Sequence, residues 1–450
     1  MTEIRLHILD VILGIPAVVL ILGVGLFLTF RLGFPQVRLF PKALGLFFRR
    51  MFSGRTPDGR VSSFQALCTA LAATVGTGNL VGVAGAISLG GPGAIFWMWV
   101  CAILGMATKY SEAALAVCYR VKTTDGYAGG PMYTMTYGLG ERFRPMAKMY
   151  CLFGILAAFG VGNAAQVSAV VTGVGSVVRR FGGEPGLAGN LIIGLILAAL
   201  TGMLLFGGAK RVGAAAEMLV PFAAGAYLLL CFGVLLVFRR RIPYALEQIF
   251  LGAFCPRAAT GGMLGSAFRA LSVGCRRGVF TNEAGMGTAS IAHACADAEP
   301  AEQGLMGMVE VFLDTIVICT MTALVILTSG VPIPYGADTG ADLTSRAFSS
   351  VYGAGAGIFL SAALILFAVA TILGWGLYGA RCAQFLFGGW KGFATAQTSM
   401  VVLGAVLDTR MVWEFSELAN GLMAIPNLIC LAALTGVLRR ITKEYRKSGA

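Results

Sequence analysis

Residues 72–82 read AATVGTGNLVG, a polar and glycine-rich stretch inside an otherwise apolar segment. Three glycines, two threonines and one asparagine interrupt a run that is long enough to cross a membrane as a helix. Irregular backbone within a bilayer leaves main-chain amide and carbonyl groups unpaired, and each is costly unless protein or a bound solute satisfies it. The stretch therefore predicts a helix that breaks where something binds.

The composition places this stretch in a membrane protein. Of the 450 residues, 57% are hydrophobic and only 12% are charged, which is far from the composition of soluble domains. Apolar runs of about 18 residues or more span a bilayer, and about eleven of them follow one another along the chain. The sequence predicts an all-α membrane protein with spans near 11–30, 64–88, 93–118, 149–178, 188–206, 213–238, 265–294, 304–330, 355–388, 393–407 and 417–438.

Positive charge indicates the orientation of the chain. Lys and Arg are concentrated in the segments 31–60, 120–148 and 439–447, which lie on one side if the spans alternate. The positive-inside rule makes that side cytoplasmic, although arginines at 179–180 and 239–241 count against it. We expect a multi-pass protein of the inner (plasma) membrane with an external N-terminus and a cytoplasmic C-terminus.

Several classes of function are disfavoured by the residue types. The net charge of +13 is confined mainly to these loops, so lipid is the expected partner; neither nucleic acid nor a protein partner is indicated. The 11 cysteines are scattered without a CxxC pair, and His7 and His293 are the only histidines. No cluster suits a disulfide framework, a typical zinc site or an enzyme active site.

A second interrupted segment, 278–288, reads GVFTNEAGMGT. When the leading span is set aside, ten helices remain, and the interrupted ones are the first and the sixth. Paired glycine interruptions at matching places in two halves indicate an inverted-repeat transporter with its site near the bilayer midplane. Half-helix N-termini favour a carboxylate, and freed carbonyls favour a cation. A channel would instead need polar residues along several helices.

This arrangement divides the chain into four parts. The extra helix and a cytoplasmic loop take 1–60, the two five-helix repeats take 61–240 and 241–440, and a cytoplasmic tail takes 441–450.

Polar residues within the spans leave alternatives open. Glu283 is either a gate or latch, or a ligand contact. Trp375 is a core filler or the wall of a pocket, and Gln166 makes a helix–helix hydrogen bond or reaches a ligand. Glu112, one turn from Lys109, is expected to pair with that lysine.

Six strings follow one another between Val61 and about Leu438: ALCTALAATVGTGN (66–79), GGPGAIFWMW (90–99), GGPMY (129–133), RGVFTNEAG (277–285), LGW (373–375) and MAIPNL (423–428). Together they resemble the alanine/glycine:cation symporter family. The resemblance implies the fold of the leucine transporter, two inverted repeats of five helices with an extra helix in front. It also implies sodium-driven uptake of a small neutral amino acid, alanine or glycine.

The resemblance also implies a site. Backbone amides near Thr77 and Gly78 would take the substrate carboxylate, while Phe280 and Trp375 would close the pocket and Gln166 would reach polar groups. Beside the glycines of the two interruptions, Asn79 and Asn282 complete the candidate substrate set. Sodium, the expected coupling ion, would bind the carbonyls of Ala72 and Val75 and the hydroxyl of Thr371; such oxygen ligands suit a hard cation.

Two departures from the family pattern concern specificity. Residues 163–169 read NAAQVSA where the family usually has Asn-Met-x-Gln-x-Asn-Ser, and Ala380 replaces an acidic residue of the family. The alternative to alanine or glycine is therefore another small solute, such as glutamine or a nucleobase.

Overall fold

A computed structural model describes residues 15–53, 60–123, 126–180, 182–183, 186–255, 267–337, 340–353, 355–407 and 410–448. It is 86% helical. Residues 11–14 of the first predicted span lie outside the described residues.

Seventeen helices are labelled here among the described residues. They are α1 (Ile15–Leu32), α2 (Phe40–Phe52), α3 (Ser63–Thr74), α4 (Gly78–Gly90), α5 (Gly93–Cys118), α6 (Glu141–Arg179), α7 (Leu187–Leu205), α8 (Gly208–Val237), α9 (Ile242–Phe254), α10 (Ala267–Asn282), α11 (Thr288–His293), α12 (Pro300–Ser329), α13 (Gly340–Tyr352), α14 (Gly355–Phe387), α15 (Lys391–Val406), α16 (Arg410–Ala433) and α17 (Thr435–Lys447). An antiparallel hairpin of β1 (Val121–Thr123) and β2 (Gly126–Ala128) follows α5.

Six of the described helices, α5, α6, α7, α8, α12 and α14, are long and apolar enough to cross a membrane. The number rises to 8 if each of two bent helix pairs is one span. These helices bear out the all-α architecture, while the layout of about eleven spans remains a prediction.

The helices differ sharply in how much of their surface is covered. In α5, 83% of the most apolar 18-residue segment is buried, because this helix packs between α10 and α12. The corresponding shares in α7 and α8 are only 28% and 33%, and large apolar side chains such as Ile196 and Leu229 are exposed there. Since water does not favour such a surface, these two helices face lipid.

The first predicted interruption is a real break. Helix α3 begins with a capping box in which Ser62 and Gln65 each accept the other's backbone amide, and it ends at Thr74. Helix α4 then leaves at an angle of 52°. Gly76 lies against α14, where an added Cβ would stand 3.0 Å from the Thr371 hydroxyl, so this position requires a small residue.

The second interruption separates α10 from α11. The backbone is left-handed at Glu283 (φ 53°), Gly285 (φ 98°) and Gly287 (φ 79°). Glycine adopts this conformation freely, whereas a glutamate there stores strain of about 1–3 kcal/mol. The helix predicted over 265–294 is therefore two helices joined by a turn.

Four amphipathic helices were not anticipated by the sequence: α2, α9, α13 and α17. The predicted tail at 441–450 is helical up to Lys447. The Thr442 hydroxyl lies 3.0 Å from the Tyr110 hydroxyl of α5, so this segment packs on the helical core.

The close approach of α9 to α5 gives a testable prediction. A Cβ added at Gly93 would overlap the backbone of Gly252, whereas Gly23 of α1 has nothing within 4 Å. We expect Gly93→Ala to destabilise the purified protein by about 1–3 kcal/mol because α9 must move. Gly23→Ala, the matched control, should be neutral or slightly stabilising. Heating followed by size-exclusion chromatography measures both, and equal stability of the two variants would contradict the packing.

Candidate functional site

A small cavity of about 40 Å³ lies between the two breaks. It has room for about three water molecules, so it is a narrow cavity. Six of the ten predicted site residues line it: Thr77, Gly78, Gln166, Phe280, Thr371 and Trp375. A larger cavity of about 510 Å³ shares Phe280 and Asn420 with the small one, so these two side chains stand between them.

The carbonyls of the predicted cation site have lost their helical partners. The Gly76 amide donates to Asn79 Oδ1 at 2.9 Å and so does not bond to the Ala72 carbonyl one turn earlier. Similarly, the Asn79 amide bonds to the Gly76 carbonyl at 3.3 Å and leaves the Val75 carbonyl. The Thr371 hydroxyl donates to the Phe367 carbonyl, which keeps its oxygen able to act as a ligand.

The first break also holds main-chain donors in residues that line the cavity. Thr77 and Gly78 are at the start of α4, where the first amides of a helix have no carbonyl a turn earlier to accept from them. Both residues line the cavity. The beginning of α4 is thus suited to an anionic group.

Asn79 and Asn282 take a different position from the predicted one. Asn79 Nδ2 donates to Asp314 Oδ1 at 2.8 Å, and Asn282 Nδ2 donates to Thr315 Oγ1 at 3.3 Å. The Thr315 hydroxyl in turn donates to Asp314 Oδ2 at 2.8 Å. The Asn282 side chain also accepts from the Ala284 amide. Neither asparagine is among the residues that line the cavity; through Asp314 and Thr315 of α12 they join the two breaks to each other.

Glu112 does not make the predicted contact with Lys109. Its Oε1 atom accepts from the amides of Gly285 at 2.9 Å and Gly287 at 3.1 Å, and from Asn427 at 2.7 Å. A side chain of the protein therefore satisfies these amides of the second break, and no bound solute is needed there.

Lys109 pairs with a carboxylate from another helix. Its Nζ atom lies 3.2 Å from Glu310 Oε1, and His293 Nε2 lies 2.9 Å from Glu310 Oε2. Gln303 Nε2 lies 2.7 Å from His293 Nδ1. All four side chains are buried, and the network holds α5, α11 and α12 together behind the second break.

Sequence reasoning missed Asn420 of α16. It lines the cavity, and its Oδ1 atom is buried without a hydrogen-bond partner. Gln166 Oε1 is in the same state, while Gln166 Nε2 donates to the Val161 carbonyl. The sequence did hold a signal for Asn420. It is an amide in an apolar helix and lies two turns before Asn427, and residues seven apart share a helix face.

Long apolar helices around a polar cavity at two helix breaks define a multi-pass membrane transporter. The chain belongs to the sodium:alanine symporter family, whose model matches residues 2–450. It is 43% identical over 438 residues to the "Sodium/alanine symporter AgcS" of Methanococcus maripaludis, covering 95% of this chain and 94% of that relative.

Two further comparisons define its neighbours. The "Probable sodium/glutamine symporter GlnT" of Bacillus subtilis is 38% identical over 437 residues, covering 96% of this chain and 87% of that relative. The crystal structure of MhsT in complex with L-phenylalanine matches with a TM-score of 0.60 at 13% identity, covering 83% of this chain and 89% of that one. At this identity the match concerns the fold, which is leucine-transporter-like.

The bridge between the breaks gives a prediction that a reciprocal exchange can test. Asn79→Asp places a second carboxylate against Asp314, so we expect it to lower the stability of the purified protein by about 2 kcal/mol or more. Adding Asp314→Asn restores one donor and one acceptor, because the new amide can donate to position 79 and accept from Thr315. Thermal unfolding in detergent measures the recovery. A double variant no more stable than Asn79→Asp alone would contradict the bridge.

Proposed function

We propose that the chain is a sodium-coupled symporter that carries a small neutral amino acid, alanine or glycine first, into the cell. The single observation behind this is the first break, where free main-chain donors and freed carbonyls occur within one short stretch beside the cavity. An amino acid carboxylate suits the amides of Thr77 and Gly78. Sodium suits the oxygens of Ala72, Val75 and Thr371.

The size of the cavity supports a short side chain. Trp375 is a buried wall of the cavity, and an added Cβ at Gly162 of α6 would overlap it, so the indole is packed firmly against that helix. Phe280 covers the side that faces the larger cavity. Glutamine, which the name of the relative GlnT suggests, is the second candidate, and it requires a wider pocket than the one described.

The proposed layout is two inverted repeats, 61–240 and 241–440, after an extra helix within 1–60 and before a tail at 441–450. About eleven spans, an external N-terminus and a cytoplasmic C-terminus complete it. The match to MhsT supports the helical fold of this layout, because it covers most of both chains; the positive-inside rule alone supports the orientation.

Two larger cavities support transport by alternating access. One of about 510 Å³ adjoins the small cavity at Phe280 and Asn420. The other, of about 530 Å³, is lined by residues at the opposite end of α3, including Arg60 and Val61. There, Arg60 is 3.0 Å from Asp297, and Gln65 donates to Glu217 of α8 at 2.8 Å. We propose that opening this end of α3 releases substrate and ion together.

Uptake into vesicles tests the function. Purified protein in liposomes should concentrate labelled alanine and glycine when sodium is higher outside, and should stop when a sodium ionophore removes the gradient. A channel would equilibrate the solute without concentrating it. Equal uptake with choline in place of sodium contradicts sodium coupling, and glutamine uptake exceeding alanine uptake contradicts the assigned substrate.

Thr371 gives a prediction for the ion site. Thr371→Val keeps the shape of the side chain but removes one oxygen ligand. The sodium concentration for half-maximal alanine uptake should therefore rise about tenfold, which corresponds to the loss of one contact as strong as a hydrogen bond. Thr371→Ser keeps the hydroxyl and is the matched control. A valine variant with the sodium dependence of the unmodified protein would show that the ion binds elsewhere.

A further inference from the structure

Glu283 is the one charged residue among those that line the small cavity in the described part of the chain. It is buried, with 4% of its surface exposed, and it is the second break's only non-glycine residue with left-handed backbone. Strained backbone of this kind persists where the surrounding structure fixes it, and it is concentrated at functional sites. The break thus holds a carboxylate in the wall of the cavity.

The hydrogen bonds of Glu283 leave it able to accept more. The Thr288 hydroxyl donates to Oε2 at 2.6 Å. A carboxylate has about four acceptor positions, so this donor does not exhaust it. Unlike Glu112, this glutamate is not engaged by the amides of Gly285 and Gly287.

Other acceptors without partners share this cavity. Gln166 Oε1 and Asn420 Oδ1 are buried and have no hydrogen-bond partner, and both residues line it. An unpaired buried acceptor is unfavourable unless a donor reaches it. The cavity therefore combines donors at Thr77 and Gly78 with acceptors elsewhere on its wall, which is the complement of a zwitterion.

The charges behind the wall favour an incoming cation. Lys109 acts electrostatically on Glu310, Glu112 and Glu283, but it is in direct contact only with Glu310, at 3.2 Å. Asp314 adds another buried carboxylate on the same helix as Glu310. Lys109 is thus engaged by Glu310 rather than by Glu283, which leaves the Glu283 carboxylate able to face a positively charged group in the cavity.

We propose that Glu283 binds the α-ammonium group of the substrate, with the side-chain oxygens of Gln166 and Asn420 as further acceptors. This assignment rests on the proposed amino acid transport. It makes Glu283 the residue that selects an amino acid over a solute that carries a carboxylate but no ammonium group.

A purely structural role for Glu283, as the acceptor for Thr288 at the start of α11, is separable from this one. In Glu283→Gln the new amide oxygen still accepts from Thr288 and the size is unchanged, but the negative charge is lost. The matched control is Glu141→Gln, the same change at an exposed glutamate that pairs with Arg144 away from the cavity.

The test compares L-alanine with L-lactate, which has a hydroxyl in place of the ammonium group. Thermal stabilisation of purified protein in sodium gives the affinity for each ligand. We expect a strong preference for alanine in the unmodified protein and in Glu141→Gln, and a preference at least about tenfold smaller in Glu283→Gln. Folding of the variant is checked by size-exclusion chromatography.

The outcomes separate the two proposals. If the unmodified protein binds no amino acid, the proposed function fails; if it prefers alanine and Glu283→Gln prefers alanine equally, only the role of Glu283 is overturned. Should Glu283→Gln not fold, Glu283→Asp replaces it, since this change keeps the charge but withdraws it. A smaller preference for alanine over lactate then supports the assignment, and an unchanged preference overturns it.

Discussion

Main-chain amide and carbonyl groups that a broken helix exposes must find partners in a medium that offers no water. This constraint explains the polar residues that interrupt two apolar segments of the chain. It also explains why buried carboxylates and amides from distant helices converge there. Glu112 comes from α5, Asp314 from α12 and Asn427 from α16, and each accepts from or donates to a break.

The two breaks meet the constraint in different ways. At the second break, Glu112 accepts from the amides of Gly285 and Gly287, so a side chain of the protein satisfies these amides. At the first, Asn79 takes the Gly76 amide, and the rearranged turn leaves the carbonyls of Ala72 and Val75 without the amides of a regular helix. The protein thus satisfies the Gly285 and Gly287 amides of the second break, whereas the first break keeps main-chain groups that a ligand could use. Asp314 and Thr315 join the two breaks in one hydrogen-bond network.

The sequence predicted both breaks, because glycine and polar residues in the middle of an apolar segment disfavour a continuous helix. It also predicted the bounds of helix α5, Gly93–Cys118, because its apolar run ends at turn residues. It did not predict that the side chains of Asn79 and Asn282 bond to α12 instead of lining the cavity. Adjacent residues of a turn point in different directions, and the sequence does not show where the partners on α12 lie. The partner of Glu112 lies 173 residues away in the chain, at Gly285, and the nearby Lys109 was the misleading choice. Asn420 was not predicted as a cavity residue, because a single amide in a helix does not show which way its side chain faces.

We propose that sodium and an amino acid occupy neighbouring parts of the first break and strengthen each other's binding. The direct measurement is the affinity of the purified protein for labelled alanine at increasing sodium concentration, with choline holding the ionic strength constant. Linkage predicts that alanine binds at least about fivefold more tightly at saturating sodium, and that sodium affinity rises by the same factor with alanine. An alanine affinity that is the same in sodium and in choline would contradict the claim.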